Sequence, residues 1–423
     1  MKYRLSDMVT SESEKIKIPD VLHFLWIGNS SRVSTQYMEV WRRSNVDKET
    51  IFWCEGDYRL CHFFHITISD HVISLPGNDK SNLERLLKNK AFDYIYPKLN
   101  EGLRFDDLIF HFFEENNIAY KVTDENQCSF LHLDKTITTK NISELFLGEF
   151  NEFKRFYCYE IILRGNLASA SDIARLILLY KYGGTYIDMD TLPCTENVFK
   201  SLNSWRMSEN YDEDDFIKLF KTKKILTKLG LLNVTDQEYT NHYCSDKDHY
   251  FYSDILMRIN RDIASFSEHD IIPLGPLYVH KNLMSIGAVE NIKGAYFNNI
   301  MSCHPFSKAM KIILRTMKKR YAFLEMNDCI FNYSHGGVTC SYLSRILGWR
   351  TELITKNYCV TSAITGPGLI VEVLLGLAYE LMAPEYLTTP NEIAIDMHNE
   401  AMGIAFFRHN HYTPEGCSSS WRR

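Results

Sequence analysis

The chain has 423 residues, of which 47 are basic and 53 acidic, giving a formal net charge of −6; 45% are apolar and 24% charged. These proportions are ordinary for a folded globular protein and exclude disordered, collagenous and coiled-coil classes. The acidic balance offers no basic field for a phosphate backbone, so nucleic acid is not an expected partner. At roughly 150 residues per domain, the length fits two or three domains, or one large α/β domain with insertions.

Eleven cysteines are scattered from Cys54 to Cys417 without one CxxC pair, which indicates neither a disulfide framework nor a zinc site. A reducing compartment, with most thiols buried as small apolar groups, is the expectation. Met1 to Pro19 is mixed and charged with no apolar core, so no secretory leader is expected. The longest apolar run, Leu369 to Met382, is interrupted by Glu372 and Glu380 and is too short to span a bilayer. It reads as a buried helix.

Val21 to Ile27 (VLHFLWI) is a continuous apolar run ending at Gly28-Asn29-Ser30-Ser31, the pattern of a buried parallel strand entering a loop. Gln36 to Arg43 carries Tyr37, Val40 and Trp41 on one side of a helix, and Thr50 to Cys54 reads as a second strand. This is a βαβ opening of a nucleotide-binding sheet. Approximately 80–164 and 196–268 read as mainly helical insertions without a chemical signature. The second holds the acidic run Asp212-Glu213-Asp214-Asp215, which reads as a solvated face. No repeat or low-complexity linker separates these blocks, so residues 1–423 are expected to form a single domain.

The informative stretch starts at Asn166: NLASASDIARLILLYKYGGTYIDMDTLP. Asn166 or Ser169 can cap a helix, apolar residues recur through Ile173, Ile177 and Tyr180, and Gly183-Gly184 stops it. Asp172 and Arg175, three apart, share a face of that helix. Thr185 to Met189 reads as a short strand, so Asp188 and Asp190 face one side of it at its C-terminal edge. Paired carboxylates there suit a hard divalent ion bridging to a diphosphate, where the ion would neutralise charge on a departing phosphate. Taken alone, a DxD is weak, being most often a solvated turn; the apolar helix and Gly-Gly break before it give it weight.

Four blocks resemble the catalytic domain of the large clostridial glucosylating toxins and related bacterial effector glycosyltransferases. They are VLHFLWIGN with Trp26, SDIARLILLYKYGGTYIDMDTLP, AYFNNIMSCHPFSKAMKIILRTMKKRYAFL, and ITGPG with the terminal SSSW. The resemblance implies a GT-A glycosyltransferase fold, a Rossmann-like nucleotide-binding sheet with helical insertions. It also implies retaining transfer of a hexose from a UDP-sugar, UDP-glucose or UDP-N-acetylglucosamine, with Mn²⁺ as the usual ion and Mg²⁺ as the alternative. Carried over, Trp26 stacks on uracil, Asp172 and Arg175 hold donor sugar hydroxyls, and Tyr186 lines the nucleotide pocket. Asp188 touches ribose and, through water, the metal, and Asp190 binds the metal directly. Asn298 falls near the reacting sugar, and Ser419 and Trp421 on a loop closing over the diphosphate, with Ser419 also a candidate metal ligand. The acceptor it implies is a hydroxyl of a host protein such as a small GTPase, met in the host cytosol by a secreted toxin or effector.

Some positions depart from that pattern. Only Met1 to Asp20 precede the first strand, so the toxins' N-terminal helical bundle for membrane targeting is not expected. Phe297 and Asn299 flank Asn298 and match neither the toxins' glucose-type pair nor their N-acetylglucosamine-type pair. The family's metal-binding glutamate stands three before its serine, whereas Glu415 stands four before Ser419; His409, His411 and Glu415 compete for that role. His62 and His65, one helical turn apart, lack a third ligand and read as core or surface, and His335-Gly336-Gly337 reads as a loop. Two other functions fit parts of the chain. YIDMDTL also matches the DxDxT of haloacid-dehalogenase-type phosphatases, with Asp188 as nucleophile and Asp190 as acid/base; a silent nucleotide-sugar-binding module is the other.

Overall fold

The computed structural model describes residues 15–28, 33, 35–55, 58–121, 136–211, 213–233, 249–288, 293–326, 361–382, 389–398 and 404–406. Its strands are β1 (Lys15–Lys17), β2 (Val21–Ile27), β3 (Glu49–Glu55), β4 (Thr138–Asn141), β5 (Gly184–Ile187), β6 (Tyr278–His280), β7 (Met284–Ala288), β8 (Tyr296–Cys303) and β9 (Ala405–Phe406). β1 and β6 form a small antiparallel ribbon; the other seven make one sheet in the order β4-β3-β2-β5-β8-β7-β9.

β2 and β3 are parallel, Val21 opposite Glu49 through Ile27 opposite Glu55, and the helix Gln36–Ser44 joins them. The βαβ opening is therefore present, with β3 one residue longer at each end than the sequence pattern marked. From β3 the chain goes outward to β4, then returns to place β5 on the other side of β2, parallel to it. The strand order thus reverses between β2 and β5, and in open α/β sheets ligands bind outside the carboxyl ends of the strands at such a point. β8 closes antiparallel on β5, Ile187 opposite Ile300. The architecture is α/β, a mixed and mainly parallel sheet packed with helices.

Alternation decides which side of the sheet each residue packs. Leu25, Ile27, Ile51, Trp53 and Tyr186 enter the large core under the helices Cys61–Ser74, Lys80–Asn100, Phe105–Glu115, Lys308–Met326 and Pro367–Met382. Leu22, Phe24, Phe52, Ile187 and Ile300 face the other way, onto Met38 and Trp41. Among its described residues the 80–164 segment is mainly helical, and its strand β4 is an edge strand of the main sheet. The 196–268 segment carries the helices Lys200–Glu209, Asp215–Lys228 and His249–Ala264 around a second small core that it shares with Tyr37, Val40, Leu192 and Ile271. Pro367–Met382 is a helix, as its apolar run suggested. Among the described residues no helix is long and apolar enough to cross a membrane.

The helix Leu167–Tyr182 runs through the centre of the molecule, with residues Ile173 to Tyr180 all buried. Asn166 caps it, its side chain accepting from the Ser169 amide at 3.1 Å. It ends at Gly183 (φ 65°), and Gly184 follows at φ 82°. A Cβ on Gly183 would lie 2.6 Å from Pro305 and one on Gly184 2.8 Å from the Val21 carbonyl oxygen, so both the backbone angle and the space demand glycine. The pair turns the chain from helix into β5 and so aims that strand, and the DxD at its end, toward the switch point.

Candidate active site

β5 stops at Ile187, two residues short of the strand expected from sequence. The Asp188 amide still donates to Asn299 O on β8 at 2.7 Å, but the chain then folds over, with the Thr191 amide donating to Asp188 O at 3.0 Å. Asp188 and Asp190 therefore sit in a tight turn beyond the strand, and strand pleating does not set their relative direction. Thr191 is held from two sides: its carbonyl accepts from the buried Trp41 indole at 2.8 Å, and its hydroxyl from Asn299 Nδ2 at 3.2 Å.

Arg175 gathers the carboxylates. Its Nη1 lies 3.0 Å from Asp188 Oδ1 and donates to Asn298 O at 3.0 Å; its Nη2 lies 3.2 Å from Asp172 Oδ1 and donates to Ser171 Oγ at 3.2 Å. The guanidinium also stacks 4.7 Å over the Tyr186 ring, whose hydroxyl donates to Asp188 Oδ1 at 2.6 Å. Asn298 Nδ2 donates to Asp172 Oδ1 at 2.8 Å, and Thr365 Oγ1 donates to Asp172 Oδ2 at 2.9 Å. Asp172, Arg175, Tyr186, Asp188 and Asn298, drawn from one helix, two strands and the turn after β5, thus form one connected cluster. An arginine planar enough to reach two carboxylates and stack on a ring does what a lysine there would not.

Burial sets the charge states. Burial raises the Asp172 carboxyl pKa, with Arg175, Thr365 and Asn298 opposing the rise. Every one of those contacts donates to Asp172, which acts as acceptor throughout. Burial also raises Asp188, to about 7; Arg175 opposes this, the Asp190 charge adds to it, and the Tyr186 hydroxyl opposes it. A quarter of the Asp188 side chain stays exposed, so water at the crevice tempers the rise. Burial on its own would lower Arg175, but Asp188, Tyr186, Asp172 and Asp190 together hold it above its ordinary value.

Trp26 lies at the C-terminal end of β2, the parallel neighbour of β5, half-buried against the core that contains Met189. It and the DxD turn therefore border the same end of the switch point. Asn298 lies within β8, not in a turn. His65 is no ligand: its Nε2 hydrogen-bonds Ile161 O at 2.7 Å. Among the described residues no group of three His, Cys, Asp or Glu gathers to hold a metal. Two hard carboxylates at Asp188 and Asp190 nonetheless fit an ion of the Mg²⁺ or Mn²⁺ type, which keeps waters and binds through one or two carboxylates plus substrate phosphates. His335, His409, His411, Glu415, Ser419 and Trp421 lie outside the described residues.

Comparison with known proteins gives this geometry a relative. Residues 134–334 match the TcdA/TcdB catalytic glycosyltransferase domain, and residues 31–212 match the glycosyltransferase sugar-binding region containing the DXD motif. The chain resembles the glycosyltransferase domains of clostridial toxins. Toxin A of Clostridium novyi is 24% identical over 333 residues, 72% of this chain, and Toxin B of Clostridioides difficile 24% over 347 residues, 73% of this chain. The chain spans 14% and 13% of the lengths of those two toxins. The crystal structure of the catalytic domain of alpha-toxin from Clostridium novyi superposes with a TM-score of 0.63 at 18% identity, covering 92% of this chain and 77% of that one. The UDP-bound glycosyltransferase domain of the YGT toxin gives 0.52 at 20% identity, covering 86% and 78%. The GT-A fold expected from the sequence is therefore the fold of this chain.

Sequence reasoning missed four polar partners of the cluster: Ser171, Thr191, Asn299 and Thr365. Ser171 was findable, since it precedes Asp172 and stands four before Arg175, within helical reach. Thr365 lies in the ITGPG block, but its contact with Asp172 had no local signal, because the two residues are 193 apart.

Proposed function

We propose that this chain is a metal-dependent, retaining glycosyltransferase that moves a hexose, glucose or N-acetylglucosamine, from a UDP-sugar to a hydroxyl of a host protein. The observation that carries the reading is the Arg175 clamp, which holds Asp172 and Asp188 beside the DxD turn at the sheet's switch point. The acceptor class it takes from the toxin relatives is a small GTPase, and the setting is that of a bacterial toxin or effector in the host cytosol.

In this reading uracil stacks on Trp26, and Tyr186 and Asp188 line the nucleotide side, with Ser419 and Trp421 closing over the diphosphate. Asp190 holds the ion directly and Asp188 through water, with His411 or Glu415 and Ser419 as further ligands. When bound, the ion draws electron density from the departing diphosphate. Asp172 accepts from a sugar hydroxyl, because its protein contacts are all donors. Arg175 favours the charged form of both carboxylates against the effect of burial and fixes their direction, so that little reorganisation accompanies bond cleavage. Asn298, tied to Asp172 through its side chain and to Arg175 through its carbonyl, is fixed close to the reacting carbon. The UDP-bound YGT domain supports the donor assignment. The phosphatase reading has less support, since Asp188 Oδ1 is engaged by Arg175 and the Tyr186 hydroxyl, poor surroundings for a nucleophile.

The deciding experiment incubates the protein with Mn²⁺ and a panel of radiolabelled UDP-sugars, with and without cell lysate. The expected result is UDP release from one or two sugars and label on a lysate protein. Asp190→Asn is expected to lower turnover at least about 10²-fold, with a thermal midpoint within about 2 °C of wild type. Wild-type turnover in Asp190→Asn refutes the metal assignment. Binding of UDP-sugar without turnover or slow hydrolysis favours the silent module, and phosphate release from a phosphomonoester without UDP favours the phosphatase.

A further inference from the structure

The Asp172 carboxylate is approached from a part of the chain that the DxD and helix motifs do not contain. Thr365 is fully buried, as is Ser169, and its hydroxyl lies 2.9 Å from both Asp172 Oδ2 and Ser169 Oγ. A threonine hydroxyl carries one proton. The acidic partner takes it, so Ser169 donates to Thr365 and Thr365 donates to Asp172, a directed chain of two hydroxyls ending on the carboxylate.

Thr365 is itself pinned from both sides. Arg320, buried in the helix Lys308–Met326, donates through Nη1 to Ala363 O and through Nη2 to Glu372. Behind Thr365, the helix Pro367–Met382 starts at once, with the Ile370 amide donating to Gly366 O at 3.4 Å. A β-branched side chain locked at χ1 on a backbone fixed this way presents its hydroxyl in one direction.

Lone-pair counting gives the arrangement a consequence. Each carboxylate oxygen accepts about two hydrogen bonds. Asp172 Oδ1 accepts from Asn298 Nδ2 and is crowded by the Arg175 guanidinium, whose Nη2 lies 3.2 Å away, whereas Oδ2 is given Thr365 alone among the described residues. The oxygen left to accept from a ligand is the one whose direction Thr365 sets. Resting on the proposed function above, we infer that Thr365 is a positioning residue for donor-sugar recognition: with Ser169 behind it, it aims Asp172 Oδ2 at a hydroxyl of the sugar and has no part in holding the nucleotide.

Thr365→Val keeps shape and removes the donor, and Thr365→Ser restores it. For Thr365→Val, kcat/KM for UDP-sugar hydrolysis and transfer is expected to fall about ten- to fiftyfold, while the Kd for UDP alone, by calorimetry, stays within about twofold. Thr365→Ser is expected to return to within about threefold of wild type. A general structural role would instead weaken UDP and UDP-sugar alike and would not be rescued by serine; that result, or wild-type kinetics in Thr365→Val, overturns the assignment. Should Thr365→Val fail to fold, Ser169→Ala carries the test: a fall of about threefold in kcat/KM with UDP binding unchanged supports the relay, and unchanged kinetics overturns it. Wild-type protein that neither binds nor cleaves any UDP-sugar overturns the transferase reading and this inference with it, whereas an active wild type beside an unaffected Thr365→Val defeats only the role of Thr365.

Discussion

Two buried acid–arginine pairs lie within one stretch of chain and use nearly the same parts. In the π-helical turn Tyr159–Arg164, Glu160 Oε1 takes Arg164 Nη1 at 2.8 Å and the Tyr321 hydroxyl at 2.6 Å, and neither charged side chain is more than 4% exposed. One turn into the next helix, Asp172 meets Arg175, whose partner tyrosine, Tyr186, bonds Asp188. The first pair is buried on both sides, with Tyr321 of the helix Lys308–Met326 against it. The second continues to Asp188, which is 25% exposed at the crevice. Burying charge is costly in both places, and pairing offsets the cost only where the geometry is good. What separates a staple from a grip here is whether the network reaches an edge where a ligand can finish it.

The sharpest way to break that contrast is to remove one acid from each pair. Glu160→Ala removes a fully buried carboxylate that pairs with Arg164 and accepts from the Tyr321 hydroxyl, and is expected to lower unfolding stability by about 3–5 kcal/mol, with kcat/KM of the folded fraction within about twofold of wild type. Asp172→Asn keeps volume and leaves Arg175 its Asp188 partner, so stability is expected to fall by about 1 kcal/mol or less, and turnover by about 10²-fold. Chemical denaturation and UDP-release kinetics on the same preparations check both. Equal effects of the two variants on stability and turnover would erase the distinction.

The contrast also explains how far the sequence could be read. Glu160 and Arg164, four apart, and Asp172 and Arg175, three apart, look alike as spacings, and only the Gly-Gly break and DxD after the second set it apart. The helix, its Asn166 cap and the βαβ opening were legible because apolar period, caps and glycine stops are local signals, whereas the GT-A fold was read from the resemblance of the four blocks. The end of β5 was not: Asp188 still bonds to Asn299, so the strand pattern runs into the turn without a break in composition. β4 was hidden because TTKN is polar and exposed at a sheet edge, where alternation carries little. Thr365 and Arg320 act through contacts distant in sequence, which no window contains.

Beneath the site lies a third arrangement, buried and polar but uncharged. His23 on β2 accepts from the Trp53 indole at Nδ1 (3.2 Å), so the Nε2–H must donate to Gly183 O (3.1 Å), at the glycine stop that aims β5. Burial, reinforced by Lys140 and opposed by the Gly183 hydrogen bond, lowers its pKa from 6.5 to about 3. A folded pKa below the unfolded one means that this contribution is complete above pH 6.5 and is lost as pH falls toward 3, since only the unfolded chain takes up the proton. By pH 4.5 the loss from His23 is about 3 kcal/mol. The raised carboxyls of Glu160 and Asp172 act in the opposite sense, but they are common to both proteins in a comparison with a His23 variant. His23→Gln is therefore expected to flatten the decline in stability between pH 6.5 and 4.5 relative to wild type, read by urea denaturation across that range. A decline of unchanged steepness would place the acid sensitivity elsewhere.

The smallest expected effect tests whether the crevice extends from the charged cluster across the switch point to β2. Trp26 is half-buried among Phe24, Met189 and Leu274 neighbours, so truncation removes packing as well as any stacking surface. Trp26→Ala is expected to weaken UDP binding about tenfold, equivalent to about 1.4 kcal/mol, and Trp26→Phe by about half that free energy because a smaller ring still stacks. Packing loss alone would lower thermal stability in both variants and leave the UDP affinity of the folded protein where it was. Calorimetry with UDP separates the outcomes, since a base stacked on β2 must register in affinity for a ligand that carries no sugar. The Asp172→Asn variant supplies the converse, losing sugar-dependent turnover while holding UDP near its wild-type affinity. If both variants reduced UDP binding to the same degree, the proposed separation of a nucleotide subsite at Trp26 from a sugar subsite at Asp172 would fail.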